Sequence, residues 1–306
     1  MKTPHCPSDL AALVQDYQTY LVQAAGLASQ TCAQRGRYVT RFLRAYCAHP
    51  RRRLNFDRLD AAWLRRYVLE VSTGCQPRTL QCQMGALRSF LRFLTLTGRV
   101  PAGLDQALAP VRAPDHALGH SLSAAQLRAF LRAFDGQQPV GMRDYAMALL
   151  AAKLGLRAKE IAQLSLDDLD WEAGTLCLQH TKGRRSRLLP LPTTAGVAIA
   201  KYLRVVRAPT SARQVFLCWH RPRPLSAGAV SAAMAAALRR AGLKVARPGT
   251  HLLRHTLATH LVQRGVSLKA IADLLGHRSL NTTTIYAKVN LPLLARIAQP
   301  WPKEEA

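Results

Sequence analysis

A helical repeat runs through the first third of the chain and then stops. Residues 10 to 97 place apolar side chains at three- and four-residue spacings with little strand-like alternation. They divide into four predicted helices: Leu10 to Ala25, a second capped by Ser29 and running to about Ala48, Leu59 to Ser72, and a fourth opened by Pro77 and ending near Gly98. In the second, Tyr38, Phe42, Ala45 and Tyr46 share one face while Arg37, Arg41 and Arg44 share another. The fourth repeats this design, with Leu80, Met84, Leu87, Leu91 and Leu94 as the core stripe and Arg78, Arg88 and Arg92 outside it. Four short helices of this kind make an all-helical domain over residues 1–100. From Arg99 to His120 the repeat gives way to Pro101, Gly103, Pro110, Pro114 and Gly119, so residues 101–120 are expected to be an interdomain linker.

A second domain is expected over residues 121–290. Ser123 is a good N-cap for a helix to about Asp135, and a further helix from about Gly141 to Leu154 is stopped by Gly155. The period then changes: Thr175 to Gln179 and Ser186 to Pro190 form the strands of a hairpin whose turn carries Lys182. Helices resume at Thr193 to Val206, Ser226 to Ala241, Thr250 to Arg264 and Ser267 to Leu275. The expected class is mostly α (α+β), with a small antiparallel sheet. At 306 residues and 49% hydrophobic content, the chain can bury two cores.

Charge narrows the partner. Lys and Arg number 43 against 17 Asp and Glu, a formal charge of +26, and such an excess favours a polyanion, nucleic acid above all. A membrane is the rival partner for a basic chain, but no apolar run approaches the roughly 18 residues of a spanning helix. Met1 to Asp9 lacks the apolar core of a signal peptide, and the expected location is the cytoplasm. Between Tyr17 and Phe56 there is no acidic residue, whereas solvated charged faces usually mix signs; this basic face, with Arg37, Arg41, Arg44, Arg78 and Arg88, is expected to lie on DNA. Seven scattered cysteines, none spaced as Cys-x-x-Cys, indicate neither a disulfide framework nor a zinc knuckle. His251, His255 and His260 have no carboxylate or cysteine at ligand spacing, so neither a metal nor a cofactor is expected.

Four segments hold residues suited to phosphoryl transfer. Gly155-Leu156-Arg157-Ala158-Lys159-Glu160 places an arginine at a helix start, and His251-Leu252-Leu253-Arg254-His255 sets His and Arg one turn apart. Gly276-His277-Arg278-Ser279 follows a helix end, and Tyr286 comes after it. The ordered set Gly-Leu-Arg-x-x-Glu, Thr-Lys-Gly, His-x-x-Arg-His-Thr and His277-x-Ser-x-x-Thr-Thr-x-x-Tyr286 resembles the tyrosine recombinases, also called phage integrases. The resemblance spans residues 155 to 286, and the N-terminal half looks like the family's four-helix, SAM-like core-binding domain.

The resemblance implies a metal-free transesterification. Arg157 and Arg254 would clamp the scissile phosphate, Lys182 would protonate the departing 5′ oxygen, and His251 would assist proton removal from the nucleophile. His277 would hydrogen-bond a phosphate oxygen, Glu160 would orient the cluster, and Tyr286 would attack phosphorus and remain as a 3′-phosphotyrosine. The physical chemistry agrees. A free tyrosine with a pKa of about 10 is ionised in only about one molecule per thousand at neutral pH, so its anion needs a cationic pocket. The bond energy stays in the covalent phosphodiester, and no nucleotide-binding loop is visible.

The implied partners are double-stranded DNA with paired half-sites and three further recombinase subunits, alike or paralogous, in a tetramer on that DNA. The chain begins only about ten residues before its first helix, so no separate arm-site domain is expected, and with 32 residues from Arg254 to Tyr286 no integron-type insertion is expected either. It thus resembles the compact Xer-like or mobile-element recombinases. The tail, residues 291–306, is expected to dock Leu293, Leu294 and Ile297 on a neighbouring subunit, or else on its own catalytic domain. Two alternatives use the same residues or fewer: DNA relaxation of the type IB topoisomerase kind, and an inactive DNA-binding regulator.

Overall fold

The structure, a computed structural model, describes residues 7–48, 54–111, 121–179 and 186–276. The chain divides into two units, Met1–Ala117 and Leu118–Ala306, each with its own core. In the first, the helical repeat forms α1 (Pro7–Gln23), α2 (Ser29–Cys47), α3 (Ala61–Ser72) and α4 (Pro77–Leu96). Aromatic rings fill its centre: Phe42 meets Trp63, Tyr67 and Phe90 edge-on, and Tyr17 meets Phe90 likewise, with ring centroids 5.2–6.1 Å apart. The buried Tyr17 hydroxyl donates to the Ala86 carbonyl at 3.1 Å, which satisfies a polar group that would otherwise be costly inside.

Local chemistry moves several expected boundaries. Ser29 is the first helical residue of α2, not its cap; Ala28 holds the cap position without a side-chain bond. Asp60 caps α3 by accepting from the Trp63 N–H at 2.6 Å, so α3 starts two residues after Leu59. The buried face of α2 is Val39, Phe42, Leu43 and Tyr46, while Ala45 is exposed. The expected linker also begins too early. Val100 and Leu108 are buried in the first core, and Leu104–Ala107 form a 3-10 turn against it. Proline and glycine here mark turns of a packed segment, because alternate apolar residues still find cover.

The second unit opens with α5 (Ala124–Arg132), whose Ser123 cap and Gln126 close a reciprocal capping box at 3.2 and 2.9 Å. It continues with α6 (Pro139–Leu154), α7 (Ala158–Gln163), β1 (Leu169–Asp170), β2 (Thr175–Leu178), β3 (Arg187–Pro190), α8 (Thr193–Val205), α9 (Ala227–Arg240), α10 (Thr250–Gln263) and α11 (Leu268–Leu275). Ala146 to Ala152 of α6 are all buried; a helix apolar on every side belongs in the middle, and α6 packs on α8 and α10. The sheet is antiparallel in the order β1-β2-β3, with Leu176 opposite Leu189 and Leu178 opposite Arg187. The two-residue β1 is too short to show a period in sequence. Among the described residues no helix is long and apolar enough to cross a membrane.

Two helix ends face each other in this unit. α6 ends at Gly155 and α11 at Gly276, both left-handed with φ of 64° and 63°. A Cβ on Gly155 would also come within 2.6 Å of Leu275 Cδ2 and 3.2 Å of Leu257 Cδ2. Gly155→Ala is therefore expected to lower stability by about 1–3 kcal/mol. A urea titration checks this, and an unchanged midpoint would contradict it.

Candidate active site

The site grows from these two helix ends, whose last carbonyls have no partner within their own helices. Arg254 lies on α10 and is only 4% exposed. Its two terminal nitrogens donate to the Gly155 carbonyl at 2.8 Å and the Leu275 carbonyl at 2.6 Å, bridging α6 to α11. Helix C-termini carry partial negative charge, so the buried guanidinium is both bonded and electrostatically compensated.

Arg157 occupies the N-cap position of α7, immediately after the Gly155 turn. Glu160, three residues on, accepts the Arg157 backbone N–H at 2.8 Å and its Nη1 at 2.6 Å. One carboxylate thus starts the helix and aims the side chain. Arg157 Nη2 reaches the Gly276 carbonyl at 3.3 Å, and the side chain remains 25% exposed. Arg157 and Arg254 therefore differ in kind: one is a buried strut, the other partly open to solvent.

A third guanidinium joins them. Arg187 of β3 donates from Nη1 to the Leu274 carbonyl at 2.6 Å, and its Nη2 lies 3.2 Å from Glu160 Oε2. Burial first, and Arg157 nearby, hold its pKa below the ordinary arginine value. Sequence reasoning missed this residue. The signal was there: Leu189 is buried, and two residues earlier on a strand means the same face, so Arg187 sits on the inner phase. Three guanidiniums against one carboxylate leave two positive charges in excess (3 − 1), which suits an anion with several oxygens.

His251, one turn before Arg254, lies at the exposed rim. Desolvation, then the charges of Arg254 and Arg157, push its pKa below 6.5, so the imidazole is neutral at neutral pH. His260, on the same helix, lies with Nε2 2.9 Å from the Leu122 carbonyl and ties the start of the unit to α10. Of the predicted site residues, the structure brings Arg157, Glu160, His251 and Arg254 together. Lys182, His277 and Tyr286 lie outside the described residues, as does the tail.

The predicted DNA-facing arginines separate. Arg37, Arg41, Arg44 and Arg78 are exposed. Arg88 departs from the expectation: its guanidinium donates to the Leu108 carbonyl at 3.0–3.1 Å and to Ala109 at 2.7 Å, carbonyls that end a packed turn. It fastens the 3-10 segment instead of projecting outward.

Residues 120–291 match the model of the phage integrase family. An integrase/recombinase of Sinorhizobium fredii, y4rA, is 34% identical over 99% of this chain and 74% of its own length. Tyrosine recombinase XerA of Thermococcus onnurineus is 30% identical over 93% of each chain. A XerH site-specific recombinase in a post-cleavage complex with palindromic difH substrate shares the fold, with TM-score 0.74 and 20% identity over 95% of this chain and 85% of that one.

A mostly helical unit with a small antiparallel sheet gathers arginines at paired helix ends, a charge suited to an anion. The chain belongs to the phage integrase family, the tyrosine recombinases, and its activity is site-specific DNA recombination. Recombinase relatives matching almost its whole length favour this over the topoisomerase and inactive-regulator alternatives.

The geometry separates Arg157 and Arg254 by stability. Arg254→Lys is expected to cost about 1–3 kcal/mol, since an ammonium cannot span the Gly155 and Leu275 carbonyls and leaves one buried group unsatisfied. Arg157→Lys, partly exposed, is expected to cost less than about 1 kcal/mol. Chemical denaturation of both variants checks the order, which equal losses would refute.

Proposed function

We propose that this recombinase cleaves and rejoins DNA through Tyr286. The Tyr286 oxygen attacks the scissile phosphorus, the bond to the 5′ oxygen breaks, and a 3′-phosphotyrosine forms. Lys182 gives a proton to the departing 5′ oxygen, and His251 takes the tyrosine proton. Arg157 and Arg254 hold the non-bridging oxygens as charge grows on them, with His277 adding a hydrogen bond and Glu160 orienting Arg157. A free 5′ hydroxyl from a second DNA then reverses the step, which exchanges strands between two sites. All charge stabilisation comes from side chains, so no metal is assigned a role.

One observation carries this reading: Arg157, Glu160, His251 and Arg254, nearly 100 residues apart at the Gly155–Arg254 link, converge on the same pair of helix ends. The neutral His251 beside two arginines is the form a base requires. The XerH complex holds a palindromic substrate, which supports paired half-sites on DNA here, with the recombinase acting as a tetramer of like or mixed subunits. The exposed Arg37, Arg41, Arg44 and Arg78 are assigned to phosphate contacts. The first unit would then be the core-binding domain and the second the catalytic one.

In excess EDTA, a nicked suicide substrate is expected to trap the parent protein on a DNA 3′ end, whereas Tyr286→Phe binds the DNA but forms no adduct. An adduct with the Phe variant would overturn the assignment. Cleavage should also depend on pH with a definite sign. The folded pKa of His251 lies below 6.5, so the active neutral form persists below that pH and the rate falls only as pH drops through the lowered value. His251→Gln should be slower and lack this acid limb in single-turnover profiles; an unchanged limb would assign it to another group.

A further inference from the structure

Arg187 is a charge in an expensive place. Its side chain is 8% exposed, and among the described residues its Nε and Nη2 make no hydrogen bond, although Nη2 stays 3.2 Å from Glu160. An apolar residue on the inner face of β3 would pack there without that desolvation cost. Its guanidinium instead joins three stretches of chain. Glu160, which it faces, also grips Arg157. Leu274, to which it donates, lies three residues before His277, and β3 itself begins five residues after Lys182. The fit is close: a Cβ on Gly276 would lie 2.9 Å from both Arg187 Cδ and Nη1, so the glycine makes room for the arginine as well as for the left-handed turn.

We infer that Arg187 is a positioning residue for strand cleavage, locking β3, the Arg157–Glu160 pair and the end of α11 together so that Arg157 meets the scissile phosphate in register. Glu160 between two guanidiniums cannot swing toward either without losing the other, and that balance fixes the Arg157 fork. Without Arg187, Glu160 would follow Arg157 alone, and the end of α11 would lose its tie to the sheet. Small displacements of a clamp cost rate steeply because the transition state needs both oxygens held. Arg187 is bonded to the Leu274 carbonyl and faces Glu160, so it acts through these neighbours.

The inference rests on the proposed phosphate clamp, and the test separates the two. Single-turnover cleavage of a nicked suicide substrate is measured for the parent, Arg157→Ala, Arg187→Gln and Arg187→Lys. Each is tested on an ordinary scissile phosphate and on a methylphosphonate, which lacks one negative charge and so needs less of the clamp. Arg187→Gln is expected to bind DNA like the parent but to cleave the phosphate about 10- to 100-fold more slowly. Most of that loss should vanish on the methylphosphonate, as for Arg157→Ala, with Arg187→Lys intermediate. A general loosening of the fold would slow both substrates alike, and that result would overturn the inference, as would cleavage at the parental rate. If Arg187→Gln does not fold, Arg187→Lys is judged by the same ratio; if neither folds, Arg187 serves folding alone and the inference is wrong. Failure of the parent to form the adduct would instead remove the proposed function.

Discussion

Guanidinium groups repel one another, and this site gathers three of them around a single carboxylate. What makes the gathering stable is the pairing of two helix C-termini, α6 at Gly155 and α11 at Gly276, whose unsatisfied carbonyls accept from Arg254, Arg187 and Arg157. The carbonyl dipoles compensate the cations without neutralising them, so a net positive charge survives that suits an anion. Had carboxylates alone done this work, the site would have balanced its own charge and lost its pull on an anion.

The same arrangement fixes Arg254 and Arg157 in different ways. Arg254 is buried and bridges two helices, so it holds its place whether or not substrate is present. Arg157 is more open, yet its start-of-helix position and Glu160 fix its direction. Catalysis by fixed charges requires such preorganisation, because reorganisation during the reaction would consume the stabilisation the charges provide. His251 fits the same logic: desolvation first, and then the charges of Arg254 and Arg157, favour its neutral imidazole.

Basic residues elsewhere show that charge alone does not reveal a surface's task. Of the arginines on the outer faces of α2 and α4, Arg35 donates to Ser89, Arg88 to two backbone carbonyls, and Arg92 pairs with Asp105. Arg37, Arg41 and Arg44 instead lie exposed on α2, in a stretch without acidic neighbours in sequence. A run of like charge that remains exposed fits a phosphate backbone, whereas Arg35 and Arg88 are committed to the domain's own packing.

Much of this was legible in the residues themselves, because capping, periodicity and helix stops are local. Ser123, Ser226 and Ser267 cap the helices they precede, Gly155 and Gly276 end theirs, and Arg157 and Glu160 share one turn. The ordered motifs also named Arg254 and His251. Tertiary structure decided what periodicity cannot contain. It turned Arg88 inward, exposed Ala45, packed Val100 and Leu108 into the first core, and brought Arg187 to Glu160. A repeat defines which side chains share a face, but what covers that face comes from distant chain: Arg254 finds its acceptor 99 residues away at Gly155, and only folding brings that carbonyl within reach.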